Sequence, residues 1–148
     1  MAEVLATMFG IGRVPYAPGT AASIVALPLA WVVLMLFGSV WVLVLSVIVA
    51  AIGIWACDVY AHEADQDDPS ECVIDELAGQ LLACAWAPLS IPGFLVALVL
   101  FRLFDISKLG PIGAVERLGG GWGIVGDDMV AGLFAGAIVG VLANVGIL

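Results

Sequence analysis

Residues 21 to 37, AASIVALPLAWVVLMLF, and 40 to 57, VWVLVLSVIVAAIGIWAC, are two uncharged apolar runs divided only by Gly38 and Ser39. Each approaches the roughly 20 residues that a helix needs to span a bilayer, so the pair reads as a transmembrane hairpin. The rest of the chain agrees. Of 148 residues, 64% are hydrophobic and 11% are charged, and the mean hydropathy is +1.20. Four Lys/Arg and thirteen Asp/Glu cannot coat every face of a soluble core, so lipid must cover most of this chain.

The opening stretch, MAEVLATMFGIGRVPYAPGT, has no basic region ahead of a short apolar core and no small-residue cleavage site. The first residue is therefore expected to stay in the mature chain. Cys57, Cys72 and Cys84 are odd in number and lack C-x-x-C spacing, which argues against a disulfide framework and a zinc site. They are expected as small buried residues. The net charge of −9 argues against nucleic acid as a partner.

Beyond the hairpin, residues 58 to 76 hold eight carboxylates and no Lys or Arg, so they must lie in water or in a water-filled site. Their core, EADQDDPSE, lacks EF-hand spacing and is expected as a solvated loop. His62 beside it has no second histidine to work with. From Leu77 to Phe101 the chain is apolar again, interrupted by APLSIPG at 87 to 93. Its prolines leave either one kinked span or a hairpin of two short helices. We prefer the hairpin, because it puts Arg13, Arg102, Lys108 and Arg117 on one side, which the positive-inside rule makes cytoplasmic. Met129 to Leu148 reads as a last span whose Gly132, Gly136 and Gly140 form a ridge for close helix packing. The expected fold is all-α: a polytopic integral membrane helical bundle with a proline-broken helical hairpin, one domain over 1–148. Whether it forms a homo-oligomer stays open.

Four polar clusters then reach one face, each at the end of an apolar helix: GRVPYAPGTAAS (12 to 23), VIDELAGQ (73 to 80), FRLFDISKLGPI (101 to 112) and GGGWGIVGDDMVAG (119 to 132). Asp75 and Glu76 open a helix, with Gly79 making room beside Asp75. Arg102, Asp105 and Lys108 recur every three residues as a polar stripe, and ionisable residues at such depth are functional candidates. An Arg102–Asp105 structural ion pair is the plainer alternative. One aspartate suffices to cap a helix, whereas Asp127 and Asp128 together, near Asp75, Glu76 and Asp105, repel one another unless a cation sits among them. Oxygen ligands without paired His or Cys favour Mg²⁺ or Mn²⁺. Arg102 and Lys108 would suit a phosphate, and Gly19, Thr20 and Ser23 offer a helix N-terminus with hydroxyls that can hold phosphate oxygens.

These clusters, in this order, resemble the phosphatidylglycerophosphatase A family of bacterial membrane enzymes. The resemblance covers nearly the whole chain. It implies a Mg²⁺-dependent phosphatase of the cytoplasmic leaflet of the inner membrane, multi-pass, acting on phosphatidylglycerophosphate in the bilayer to give phosphatidylglycerol. It also implies that Asp75, Glu76, Asp127 and Asp128 are metal and catalytic carboxylates. The family usually has a proline directly after the third-cluster lysine, where this chain has Leu109; Pro111 and Ile112 are retained. In the expected mechanism Mg²⁺ polarises the phosphate and activates a water. Arg102, Lys108, Gly19, Thr20 and Ser23 bind phosphate, and Asp105 orients Arg102 or adds a ligand. A small cation transporter or channel would also explain the carboxylates, and a non-catalytic assembly subunit the glycine ridge, but neither explains Arg102, Lys108 and APGT converging on them. The CDP-alcohol phosphotransferases also use clustered aspartates, but their D-x-x-D-G run is missing.

Overall fold

The two apolar runs form α2 (Pro18–Phe37) and α3 (Ser39–Ala64), joined at Gly38, whose φ of 87° suits a residue without Cβ. The computed structural model describes residues 1–148. Around this hairpin stand α1 (Ala2–Ala6), a 3-10 turn (Ile11–Arg13), α4 (Ile74–Cys84), α5 (Ile91–Ser107), α6 (Pro111–Glu116) and α7 (Gly120–Asn144), with no strand. Helices α2, α3 and α7 are each long and apolar enough to cross a membrane. Their outward side chains, among them Val32, Leu36, Val40, Val47 and Leu133, are exposed and apolar, the surface that lipid covers. The chain is a membrane protein.

The proline-rich stretch breaks the apolar segment into two antiparallel helices. After α4 the chain turns through residues 85 to 90, and Ser90 caps α5 by accepting a hydrogen bond from the Gly93 amide at 3.1 Å, with Pro92 in the first turn. The return is direct, because Arg102 near the end of α5 stands 3.7 Å from Glu76 at the start of α4. Helix α4 is the centre of the bundle. It is buried along nearly its whole length and packed by α7, α3, α2 and α5.

The glycine ridge of α7 is used within the chain. Gly132 rests on the backbone of Gly79, and Gly136 and Gly140 lie against Trp86. A Cβ on Gly79 would stand 2.6 Å from both the Asp128 carbonyl oxygen and the Phe101 ring, so α4, α5 and α7 meet where only hydrogen fits. On the other side of α4, the Ser46 hydroxyl of α3 donates to the Ala78 carbonyl at 2.8 Å. Leu81, Phe101, Ala135 and Val139 fill the core.

Two expectations need correction. Cys57, near the end of α3, is bonded to Cys72, just before α4, with Cα atoms 6.1 Å apart; only Cys84 is free and buried. The loop between them turns back on itself, a return that spacing alone does not reveal. Secondly, the acidic stretch is not wholly a loop, because α3 continues to Ala64 and ends at Asp65 in the left-handed region. The following segment is fastened by the Tyr60 hydroxyl, which donates to Glu71 at 2.6 Å, and by Arg13, which pairs with Glu3 and lies 3.5 Å from Glu71. Where the pair is oxidised, replacing Cys57 and Cys72 together by Ser is expected to cost about 3 kcal/mol, since the bridge closes a loop of this length, and far less where a reducing compartment keeps the thiols apart. Denaturation of the wild type with and without reductant, beside the double variant, checks the figure.

Candidate active site

The first turn of α4, the last turn of α5, the N-terminus of α2 and the first half of α7 meet at one end of the bundle around a cavity of about 290 Å³. Its wall includes Gly19, Asp75, Glu76, Arg102, Asp105, Lys108, Asp127 and Asp128. Three sequence clusters supply the carboxylates and cations, and the fourth supplies backbone. Ala17 takes a left-handed conformation, φ 47°, directly before Pro18, whose fixed φ suits the first position of α2, and Ala17, Pro18 and Gly19 all line the cavity. Gly19 is packed directly on the carboxylate of Glu76 and beside the Arg102 guanidinium, where no Cβ fits.

Asp75, Glu76 and Asp128 each offer an oxygen within 4.8 Å of the others. Asp75 and Asp128 are buried, at 7% and 2% exposure, and Glu76 is largely covered. Asp75 Oδ1, Glu76 Oε2 and Asp128 Oδ2 are buried without a hydrogen-bond partner. Three carboxylates so close and so dry cannot all ionise without a positive charge among them. All-oxygen donors of this kind fit a hard divalent cation, so the cluster could hold a metal ion.

The cations stand at the rim of this cluster. Arg102 Nη1 is 2.6 Å from Asp105 Oδ2, the i,i+3 pair foreseen from the sequence, and also faces Glu76. Its Nε and Nη1 nevertheless have no partner in hydrogen-bonding geometry, which leaves N–H groups to spare. Lys108 ends α5 at φ 48°; its ammonium hydrogen-bonds Asp127 and lies 3.9 Å from Asp105 and 3.6 Å from Glu116. Burial alone lowers the Lys108 pKa, but the bond to Asp127 and the nearby charges of Asp127, Asp128 and Asp105 reverse the shift, so it is held as a cation.

Adjacent aspartates therefore have different partners. Successive residues of a helix point about 100° apart, so Asp128 turns to the α4 carboxylates and Asp127 to Lys108. Thr20 lines a neighbouring groove instead of this cavity. Ser23 is buried one turn below, its hydroxyl donating to the Gly19 carbonyl at 2.9 Å. Two groups on the wall were not foreseen. Asp68 and Ser70, from the acidic segment read as solvated, come over the mouth of the cavity. Asp68 keeps contact with water, yet atoms crowding one side of its carboxyl raise its pKa, partly offset by the charge of Lys108. The sequence signal for them was weak: only the Pro69 turn marks a change of direction.

The family described as phosphatidylglycerophosphatase A matches residues 4–143. The chain belongs to that family. A Haemophilus influenzae protein named phosphatidylglycerophosphatase A is 34% identical, the match covering 93% of this chain and 85% of that protein. An Escherichia coli protein of the same name is 32% identical over 93% of this chain and 80% of its own length. A Bacteroides thetaiotaomicron protein named putative phosphatidylinositol-3-phosphatase is 32% identical, covering 93% of this chain and 91% of that protein. No solved structure matches. Family membership supports phospholipid phosphatase function and does not favour the transporter reading. The geometry agrees, because the carboxylates gather at one end of the helices together with Arg102 and Lys108.

Proposed function

We propose that the chain hydrolyses phosphatidylglycerophosphate to phosphatidylglycerol and inorganic phosphate at the cytoplasmic face of a bacterial inner membrane. The observation that carries this reading is the set of three unpartnered buried carboxylates, Asp75, Glu76 and Asp128, flanked by Arg102 and Lys108 at the end of membrane helices. A lipid phosphate held at the bilayer surface reaches that depth without a soluble carrier. The basic residues Arg13, Arg102 and Lys108 lie toward this end of the bundle, the cytoplasmic one by the positive-inside rule.

Asp75, Glu76 and Asp128 would hold the cation, for which Mg²⁺ suits the hard oxygen set and a phosphate ligand. When bound it supplies Lewis-acid stabilisation of the charge on the phosphoryl oxygens. The chain's own residues do the rest. Lys108 and Arg102 face the equatorial oxygens of the terminal phosphate and offset the charge that spreads there in the transition state. Asp127 keeps the Lys108 ammonium in place, and Asp105 does the same for Arg102. Backbone amides at Gly19, in the first turn of α2, add donors for a phosphate oxygen. Water attacks phosphorus, and the bond to the headgroup oxygen breaks with its electron pair going to that oxygen. Net transfer of one of the water's two protons to it releases the alcohol of phosphatidylglycerol, the other proton staying on the hydrogen phosphate.

The relative named putative phosphatidylinositol-3-phosphatase makes the headgroup the point to test. Phosphate release from phosphatidylglycerophosphate, phosphatidylinositol 3-phosphate and phosphatidic acid, each in the same mixed micelles, is the experiment. The first is expected to give the highest kcat/KM. Preference for the inositol lipid would overturn the headgroup assignment, and no release from any of them would overturn the reading.

The positions of the two cations give a smaller prediction. Lys108→Met removes the partner of Asp127, which is 3% exposed at its side chain. Breaking a pair whose carboxylate is this deep is expected to lower stability by about 3 kcal/mol, less whatever water reaches the half-exposed lysine, and kcat by about a hundredfold. Lys108→Arg, which keeps the charge but not the reach, should recover stability more than rate. Thermal unfolding and steady-state kinetics on the two variants check this.

A further inference from the structure

Outside the acidic cavity, the seam between α2 and α5 is loosely closed. The two helices touch sparsely, and two lipid-facing hollows lie along their junction. The nearer one, about 460 Å³, is walled by Thr20 of α2 and by Leu98, Val99, Leu103 and Arg102 of α5. The farther one, about 390 Å³, begins one helical turn away, between Leu27, Pro28 and Trp31 of α2 and Phe94 and Leu95 of α5. The Trp31 and Phe94 rings, with centroids 5.0 Å apart, form its floor. From Ile91 to Ile106 the α5 side of the seam runs roughly 22 Å at 1.5 Å per residue, which exceeds the roughly 15 Å of hydrocarbon in one leaflet.

What separates this seam from the furrow on the outer face is that its end adjoins the acidic cavity. Arg102 and Ile106 line both the nearer hollow and the acidic cavity, so the two spaces share a wall. Arg102 turns Nη1 to the carboxylates while its Nε is buried with no hydrogen-bond partner. Thr20 stands on the α2 side of the same hollow, whose lining is almost wholly apolar. A second furrow on the outer face, between Val33, Phe37, Trp41 and Val44, has an apolar lining with no charged group at either end.

We infer that the α2–α5 seam seats the glycerol backbone and one acyl chain of the lipid substrate, which enters sideways from the bilayer. The tail lies against the apolar lining of the seam, and the headgroup with its phosphates passes the wall shared at Arg102 and Ile106 into the acidic cavity. This inference rests on the phosphatase reading above. It assigns the two parts of the substrate to different places: the apolar tail holds the lipid in the seam, and the phosphorylated headgroup reaches the carboxylates and Arg102. The acyl chain lies against apolar side chains, and the anionic headgroup meets the Arg102 guanidinium on the cavity side of the shared wall.

The test compares two substrates: diacyl phosphatidylglycerophosphate in mixed micelles, and its deacylated headgroup, water-soluble, with both phosphates. Leu103, 57% exposed in the seam, is changed to Cys and converted to mixed disulfides by alkyl methanethiosulfonates of increasing chain length, methanesulfinate leaving, after the protein has folded; Val47, 59% exposed on the outer face of α3, is treated alike. Unsubstituted protein treated the same way controls for Cys84 and the Cys57–Cys72 pair. With longer labels at Leu103→Cys, the ratio of kcat/KM for the lipid to that for the headgroup is expected to fall at least about tenfold, and to stay level for Val47→Cys. An unchanged ratio at Leu103→Cys, or an equal fall at both positions, overturns the seam. If unlabelled protein hydrolyses the headgroup as well as the lipid, the seam fails while the phosphatase reading stands. If it hydrolyses neither, both fall together.

Discussion

Asp128→Asn is expected to lower the rate of phosphate release by about a thousandfold while leaving the bundle folded. The residue is 2% exposed, its Oδ2 has no hydrogen-bond partner, and it forms no direct ion pair, so its carboxylate ties no other group of the protein in place through that oxygen. Removing that charge relieves repulsion with Asp75 and Glu76, so the variant should unfold at the same temperature as the wild type or higher. A loss of activity without a loss of stability is the signature of a group kept for function. Asp127→Asn gives the contrast. It weakens the tie to Lys108, and is expected to lower both rate and stability. Thermal unfolding and initial rates, measured on both variants in the same detergent, separate the two aspartates.

The second large effect concerns a residue with no side chain. Gly79→Val would push a β-branched group into the space where α4 meets the Asp128 carbonyl and the Phe101 ring, each 2.6 Å from the position of a Cβ. Neither can retreat easily, since Phe101 is fully buried and the carbonyl belongs to the backbone of α7. Overpacking here is expected to cost about 3 kcal/mol and to move Asp128 away from Asp75, so activity falls with stability. Cysteines placed on α4 and α7 and joined by a short crosslinker would report the separation. A Gly79→Val protein that unfolds like the wild type and keeps its rate would show that the close approach is not needed.

Much of this arrangement was legible because its physics is local. Uncharged runs at 21 to 37 and 40 to 57 can only be buried or in lipid, and they became α2 and α3. Two prolines within APLSIPG cannot continue a helix: Pro88 lies in the turn between α4 and α5, and Pro92 in the first turn of α5. The ridge of Gly132, Gly136 and Gly140 announced a close partner but not its identity; the partner is α4 and the Trp86 ring. Asp75, Glu76 and Asp128 were visible as carboxylates too close to apolar helices to be idle. Their separation from Asp127 was also in the sequence, in the rotation between neighbours on a helix, although adjacency in the chain suggested a common role.

The remainder depends on how the chain returns. Cys57 and Cys72 meet because the acidic segment folds back over the end of α3, and the same return carries Asp68 and Ser70 to the cavity mouth. No periodicity encodes such a path. Thr20 and Ser23 show the reverse case: hydroxyls beside a helix N-terminus looked like phosphate ligands, but helical rotation turns Thr20 to the α2–α5 seam and Ser23 into the core.

The most direct measurement begins with purified protein stripped of divalent cations by a chelator and supplied with phosphatidylglycerophosphate in mixed micelles. Mg²⁺ is then titrated while released phosphate is followed. Release that is absent at the start, rises to saturation with Mg²⁺, and stays absent in Asp128→Asn would establish the buried carboxylates as the seat of a metal-assisted lipid phosphatase. Full release in the presence of chelator, or undiminished release by Asp128→Asn, would contradict it.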